Sequence, residues 1–164
     1  MEEPTVLVTE YPLNIPNLET EFEITFHEKP LLIGGLAMEY YGLRKAGRDI
    51  DFVLSKSDHK RLEEKLRTKG LLYLQGRHTP GFKDTPEFVD LYGDKGILFH
   101  ELEIWTCILL FDYDYLSRGA IEQEHCKIIS LEMLLFMKAL CVDQAKYLND
   151  VVLIGKKIIS NQYK

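Results

Sequence analysis

The residues from Leu31 to Leu54, LLIGGLAMEYYGLRKAGRDIDFVL, constrain the fold more than any other part of the chain. Three apolar residues run straight into Gly34-Gly35, a pair that ends a short buried strand and opens a helix of about two to three turns. The chain then turns back into a second strand carrying Asp49 and Asp51. Alternate side chains of a strand leave by the same face, so the two carboxylates point the same way. Paired oxygen donors suit a hard divalent cation such as Mg²⁺. The glycine pair sets free backbone N–H groups and the positive end of a helix dipole beside them, and lets an anion approach without Cβ interference. An anion cradle next to a metal-binding strand points to the phosphates of a nucleotide.

The rest of the chain has to supply the scaffold. Its 164 residues, 46% hydrophobic and 28% charged, suffice for one domain over 1–164 with a sizeable core. A net charge of −6 argues against bulk DNA or RNA as the main partner and suits a cationic small acceptor better. Cys107, Cys126 and Cys141 are odd in number and widely spaced, which fits reduced core residues and neither a disulfide framework nor a zinc site. The N-terminus lacks a basic leader before an apolar run, and no stretch approaches the roughly 20 apolar residues of a membrane span. A cytoplasmic protein without a membrane partner is expected.

Residues 1–16 hold Pro4, Pro12 and Pro16 and read as an extended arm with a short strand near Thr5 to Thr9. Asn17 caps a helix over Leu18 to His27, stopped by Pro30. Ser55 and Ser57 offer caps, with Asp58 in the first turn, for a helix to about Lys69, with Leu62 and Leu66 inward and a charged outer face. Leu71 to Leu74 reads as a strand, and Thr79-Pro80-Gly81 and Thr85-Pro86 as turns. Glu87 to Tyr92 forms the next strand, Gly93 to Gly96 a tight loop, and Ile97 to Leu110 one or two strands or a helix. Phe111 to Gly119 makes a loop or helical turn whose tyrosines pack at a rim or touch a ligand.

Lys127 to Ile129 is a short strand. Ser130 caps a helix from Leu131 to about Val142, and a last helix from Gln144 to about Ser160 packs through Leu148, Val151, Val152, Ile158 and Ile159; residues 130–160 thus form a C-terminal helical part. Lys146 and Asp150 stand at ion-pair spacing within it. The pattern implies an α+β fold, a mixed sheet flanked by helices.

Asp90 sits among Phe88, Val89, Leu91 and Tyr92, where an acid is expensive to bury unless paired or bound to a cation. It is the candidate third carboxylate; the alternative is an edge-strand residue facing water. Glu103 is the reserve. Three such acids would hold Mg²⁺ against a nucleoside triphosphate and orient an acceptor hydroxyl for in-line attack, with Asp90 also taking its proton. Arg44, Lys45 and Arg48 either neutralise phosphate or pair with neighbouring acids. Lys138 falls on the apolar side of its helix, where a lysine covers the core with its stem, pairs with a buried acid, or reaches a phosphate.

The run Ile33-Gly34-Gly35 through Gly42-Leu43-Arg44 to Asp49-Ile50-Asp51-Phe52 resembles the signature of the DNA polymerase β-type nucleotidyltransferase superfamily. The likeness is closest to small bacterial members, antibiotic nucleotidyltransferases and abortive-infection toxins. Phe88-Val89-Asp90-Leu91 resembles the family's third acid, and Ile129 through Lys138 to Lys146 and Asp150 its C-terminal helices. The resemblance implies a nucleotidyltransferase-like fold in which Asp49, Asp51 and Asp90 bind metal, Gly34 and Gly35 hold phosphate, and Lys138 assists the triphosphate. It implies Mg²⁺, an NTP such as ATP, and a small-molecule, protein or tRNA acceptor. The lack of an obvious acceptor domain keeps open a non-catalytic alternative that binds a nucleotide or a partner protein, for example within a toxin and antitoxin pair. One departure stands out: Ala46-Gly47 occupy the region where the family commonly has Ser or Thr.

Overall fold

The computed structural model describes residues 13–70, 72–75, 83–91, 93–141 and 144–162. The expected strand at Thr5 to Thr9 and the turn at Thr79-Pro80-Gly81 lie outside them. The chain opens with α1 (Leu18–Phe22), β1 (Leu31–Ile33), α2 (Gly34–Tyr40), β2 (Ile50–Val53) and α3 (Lys56–Arg67). It continues through β3 (Leu72–Gln75), β4 (Lys83–Leu91), β5 (Asp94–His100), β6 (Leu102–Trp105), β7 (Cys107–Ile108) and β8 (Phe111–Asp112). It closes with α4 (Tyr113–Leu116), β9 (Ile121–Glu122), β10 (Lys127–Ile128), α5 (Leu131–Leu140) and α6 (Ala145–Gln162). The architecture is α+β, with a large mixed sheet, helices around it and two helices at the C-terminal end.

Eight strands form one sheet in the order β3-β4-β5-β6-β2-β1-β10-β9, and β7 and β8 pair separately. The centre decides where the acids go. β2 runs antiparallel to β1, with Ile33 opposite Asp51, and parallel to β6, with Asp51 opposite Glu103. Because side chains alternate, Asp51 and Glu103 leave by one face while Phe52, Ile104 and Ile97 leave by the other. On that second face the His59 ring of α3 meets Phe88 edge-on at 6.5 Å. On the first face Trp105 lies over Gly96, where a Cβ would come within 2.6 Å of the indole, so a side chain there would displace the ring.

Caps fix the helix starts where the sequence places them. The Asn17 side chain accepts from the N–H groups of Glu19 and Thr20, Ser55 from Asp58, and Ser130 from Met133. The helix expected to reach His27 stops at five residues, because Glu23 takes a left-handed conformation (φ 52°) and closes it. Asp58 is not part of a solvated face: it is fully buried and accepts from the N–H groups of His27 and Glu28, both at 3.0 Å, and from Arg61 at 3.1 Å. One carboxylate thereby ties the segment after α1 to α3. Thr85-Pro86 is no turn; both lie within β4, beside a register shift against β5 between Lys83 and Glu87.

One hydrophobic core joins Leu18 and Phe22 of α1, the strands β1 and β2, Leu62 and Leu66 of α3, Leu134 of α5 and Ile154 of α6. The last helix turns differently from its expected phase. Leu148, Val152 and Ile159 face outward, while Ile154 is buried and Leu153 and Ile158 pack against the core. No helix among the described residues is long and apolar enough to cross a membrane.

Candidate functional site

A cleft of about 760 Å³ opens on the sheet face from which Asp51 and Glu103 project. Gly34, Gly35, Asp49, Asp51, Glu103 and Lys138 all line it, together with Arg44 and Asp150. Asp49 precedes β2 rather than lying in it, and is exposed at the opening. Gly34 is the pivot between β1 and α2. Its φ of +69° is left-handed, and a Cβ there would sit 2.5 Å from Asp51 Oδ2. Only glycine lets the backbone turn and the carboxylate occupy the same space.

Asp51 and Glu103 form a hydrogen-bonded acid pair on adjacent parallel strands. Burial, then the hydrogen bond and charge of Glu103, then the charge of Asp49, push the Asp51 carboxyl well above its ordinary value, with Lys138 opposing.

Asp90 does not belong to this cluster. It lies on β4, two strands from β6, and pairs with Lys95, whose side chain shares the face of Ile97 and Ile104. The two-residue period therefore aims Asp90 at the opposite side of the sheet. It is exposed there, and its Oδ1 accepts from the Gly93 N–H at 3.1 Å. Glu103, the reserve, holds the place expected for Asp90. The motif is shared: Leu102-Glu103-Ile104 is an acid between two apolar residues, as is Val89-Asp90-Leu91. What separates them is which strand lies beside β2.

The cations converge on Asp150. Arg44 grips it with two bonds, Nε to Oδ1 at 2.7 Å and Nη2 to Oδ2 at 2.9 Å, and Lys138 Nζ lies 3.1 Å from Oδ2. Asp150 and Lys138 are both buried. Burial alone would raise the Asp150 carboxyl, but the hydrogen bonds and charges of Arg44 and Lys138 outweigh it and hold the group below its usual value. Of the three roles open to Lys138, pairing with a buried acid is the one observed. The partners of Asp150 are thus not the Lys146 four residues before it; Lys146 Nζ lies over the Tyr147 ring at 4.7 Å. Sequence reasoning missed Asp150 as the anchor because its strongest partner lies 106 residues away.

Arg48 sits at the surface, 3.9 Å from Glu101. Ala46 and Gly47 lie directly behind the glycine pair: a Cβ on Gly35 would meet Gly47 N at 3.5 Å and the Ala46 Cα at 3.6 Å. The tyrosines of α4 pack rather than line the cleft, Tyr113 buried with its hydroxyl donating to the Lys29 carbonyl, and Tyr115 against Phe111 and Phe136. Cys107, Cys126 and Cys141 are unbridged, the first two buried. Among the described residues, no three His, Cys, Asp or Glu side chains are gathered as a ready-made metal centre. Compared with family models, curated proteins and solved structures, the chain finds no match.

Proposed function

We propose that the chain is a Mg²⁺-dependent nucleotidyltransferase of nucleotidyltransferase-like fold, acting in the cytoplasm. It would move a nucleoside monophosphate from an NTP to a hydroxyl on a small molecule, a protein or a tRNA. One observation carries this reading: Asp51 and Glu103 stand in register on neighbouring strands, and Asp51 lies against a glycine whose missing Cβ makes room for it.

The donor set suits the metal. Asp49, Asp51 and Glu103 offer only hard oxygen ligands, and the buried Asp51 carboxyl, raised well above its ordinary value, stands where a divalent cation would favour its charged form. Bound there, Mg²⁺ would supply Lewis-acid charge to the triphosphate. The chain's own groups divide the remaining work. Gly34 and Gly35 admit the phosphates close to the backbone, Lys138 and Arg44 offer positive charge on the cleft wall, and Glu103 takes the proton-accepting role expected of Asp90. Calorimetry with each NTP and Mg²⁺ tests the proposal: metal-dependent binding is expected, and binding unchanged by Asp49→Asn with Asp51→Asn would sink it.

A second reading has a specific observation behind it. Ala46 and Gly47 back the glycine pair where the resemblance leads one to expect a hydroxyl. A member lacking that group would hold a nucleotide, or a protein such as an antitoxin, without transferring anything. Incubation of a cell lysate with labelled NTP separates the two. Label that becomes attached in an Asp51-dependent manner excludes the non-catalytic reading.

A further inference from the structure

The outward face of α6 is apolar, and Asp150, the one acid on this helix, points the other way into the grip of Arg44 and Lys138. Leu148, Val152 and Ile159 stand on that face 52%, 47% and 57% exposed. With Gly155 they follow the spacing i, i+4, i+7, i+11, the seam by which one helix packs along another. We infer that this seam pairs α6 with the α6 of a second copy of the chain, antiparallel, about a twofold axis at the level of Leu153 and Ile154. The inference goes beyond the transferase reading and does not depend on it.

Gly155 has no role in the chain's own packing. A glycine inside a helix weakens it relative to alanine. Where close packing requires a glycine, an added Cβ would collide, as at Gly34 and Gly96. At Gly155 no described atom lies within 4 Å of that position, and its φ is not left-handed, so neither a close contact within the chain nor a turn calls for it. The missing side chain falls in the seam between Val152 and Ile159, where it leaves a hole for a residue from a facing helix.

The order of residues selects a second copy as the facing helix. Val152 and Gly155 are equidistant from the point between Leu153 and Ile154, and so are Leu148 and Ile159. The seam therefore has the same layout from either end. Turned end for end against itself, it sets each Val152 over Gly155 of the other copy and each Leu148 against Ile159 of the other copy. Large meets small at the centre, and aliphatic contacts close both ends. The charges agree with this register. Lys156 comes beside Asn149 of the second copy, whose amide oxygen can accept from an ammonium, rather than beside its own counterpart. A lipid surface, by contrast, gains nothing from the hole at Gly155.

Sedimentation velocity of the full chain over a dilution series from about 0.5 mM downward tests this. A dimer that dissociates on dilution is expected. Val152→Glu should weaken it by about tenfold or more with circular dichroism unchanged. Gly155→Leu should do the same while raising the melting temperature of the monomer, because leucine fills the hole yet is the better helix former. Mild oxidation in a Cys141→Ser background reads the direction of pairing. Leu148→Cys mixed with Ile159→Cys should cross-link and neither should do so alone, since an antiparallel pair holds identical end positions about 16 Å apart. The inference is overturned by a monomer at every concentration, by a dimer that both Val152→Glu and Gly155→Leu leave intact, or by either cysteine variant cross-linking with itself as readily as with the other. It is equally overturned if the chain stays monomeric and floats with phosphatidylserine vesicles through Val152.

Discussion

Asp51 on β2 faces Glu103 on β6 across one parallel register step, and the two carboxyl groups share a hydrogen bond inside the cleft. A pair of like groups held together by the sheet is a local expense of the fold, and it identifies the acids that chemistry would need.

Asp51→Asn therefore has opposite effects on stability and on activity. Asparagine removes the cost of a buried carboxyl whose ionisation burial and the Glu103 charge oppose, and melting should rise by roughly 2–4 °C, about 1 kcal/mol for a chain of this size. Metal-dependent NTP binding should disappear in the same variant. Scanning calorimetry with and without Mg²⁺ checks both: the ion should raise the melting temperature of the parent and leave the variant unmoved.

The third acid is decided by a paired comparison. Glu103→Gln should lower nucleotidyl transfer by about a hundredfold or more, the usual scale for a lost acid–base group. Asp90→Asn should leave it within about twofold, since surface changes away from a site rarely shift energies by more than about 0.5 kcal/mol. Equal losses in single-turnover assays would return Asp90 to the site.

At Gly34 the expected lesion is steric. Alanine there must take a left-handed φ and push against Asp51 Oδ2, so Gly34→Ala should destabilise by about 1–3 kcal/mol and displace the carboxylate. Urea denaturation gives the first number. Calorimetric titration at a temperature where the variant is fully folded should still show Mg²⁺-dependent NTP binding lost.

Asp150 pairs with two cations, one of them buried. Asp150→Ala should cost about 3–5 kcal/mol, because Lys138 is left without its counter-ion. Lys138→Met should cost less, since Arg44 still satisfies the carboxylate. The Asp150 carboxyl is held below its unfolded value near 3.9, so its contribution is complete above about pH 4 and is lost as pH falls through the lowered folded value. Chemical denaturation across that range should show the acid slope in the parent and its absence in Asp150→Ala.

His59 gives a separate pH window. Burial holds its imidazole below the ordinary value, outweighing the hydrogen bond between Nε2 and the Ile104 carbonyl at 3.0 Å. The folded protein prefers the neutral ring, so stability is full above the unfolded value of about 6.5 and falls below it, by at most about 1.4 kcal/mol per pH unit, until the folded group also protonates. His59→Gln should flatten that slope in urea titrations between pH 5 and 7.

Much of this was legible locally. The strand at Leu31, the helix opening at the glycine pair, and the caps at Asn17, Ser55 and Ser130 depend on neighbours a few residues away, and the structure has them in those places. The failures are non-local. Asp90 and Glu103 carry the same flanking pattern, and only the strand order puts β6 rather than β4 beside β2. α6 is apolar on several sides, so its inward face is set by what it meets, and Leu148 turns outward while Ile154 is buried. The grip of Arg44 on Asp150 spans a separation that no periodicity encodes.

That same grip has a consequence for the timing of synthesis. At about 5–20 residues per second, roughly 5 to 20 s pass on the ribosome between the making of Arg44 and the making of Asp150, 106 positions later. Through that interval the glycine pair and Asp51 exist without the helix that completes their cleft. The cleft wall that α6 supplies, Asp150 and Leu153 included, is the last part of the site to be made.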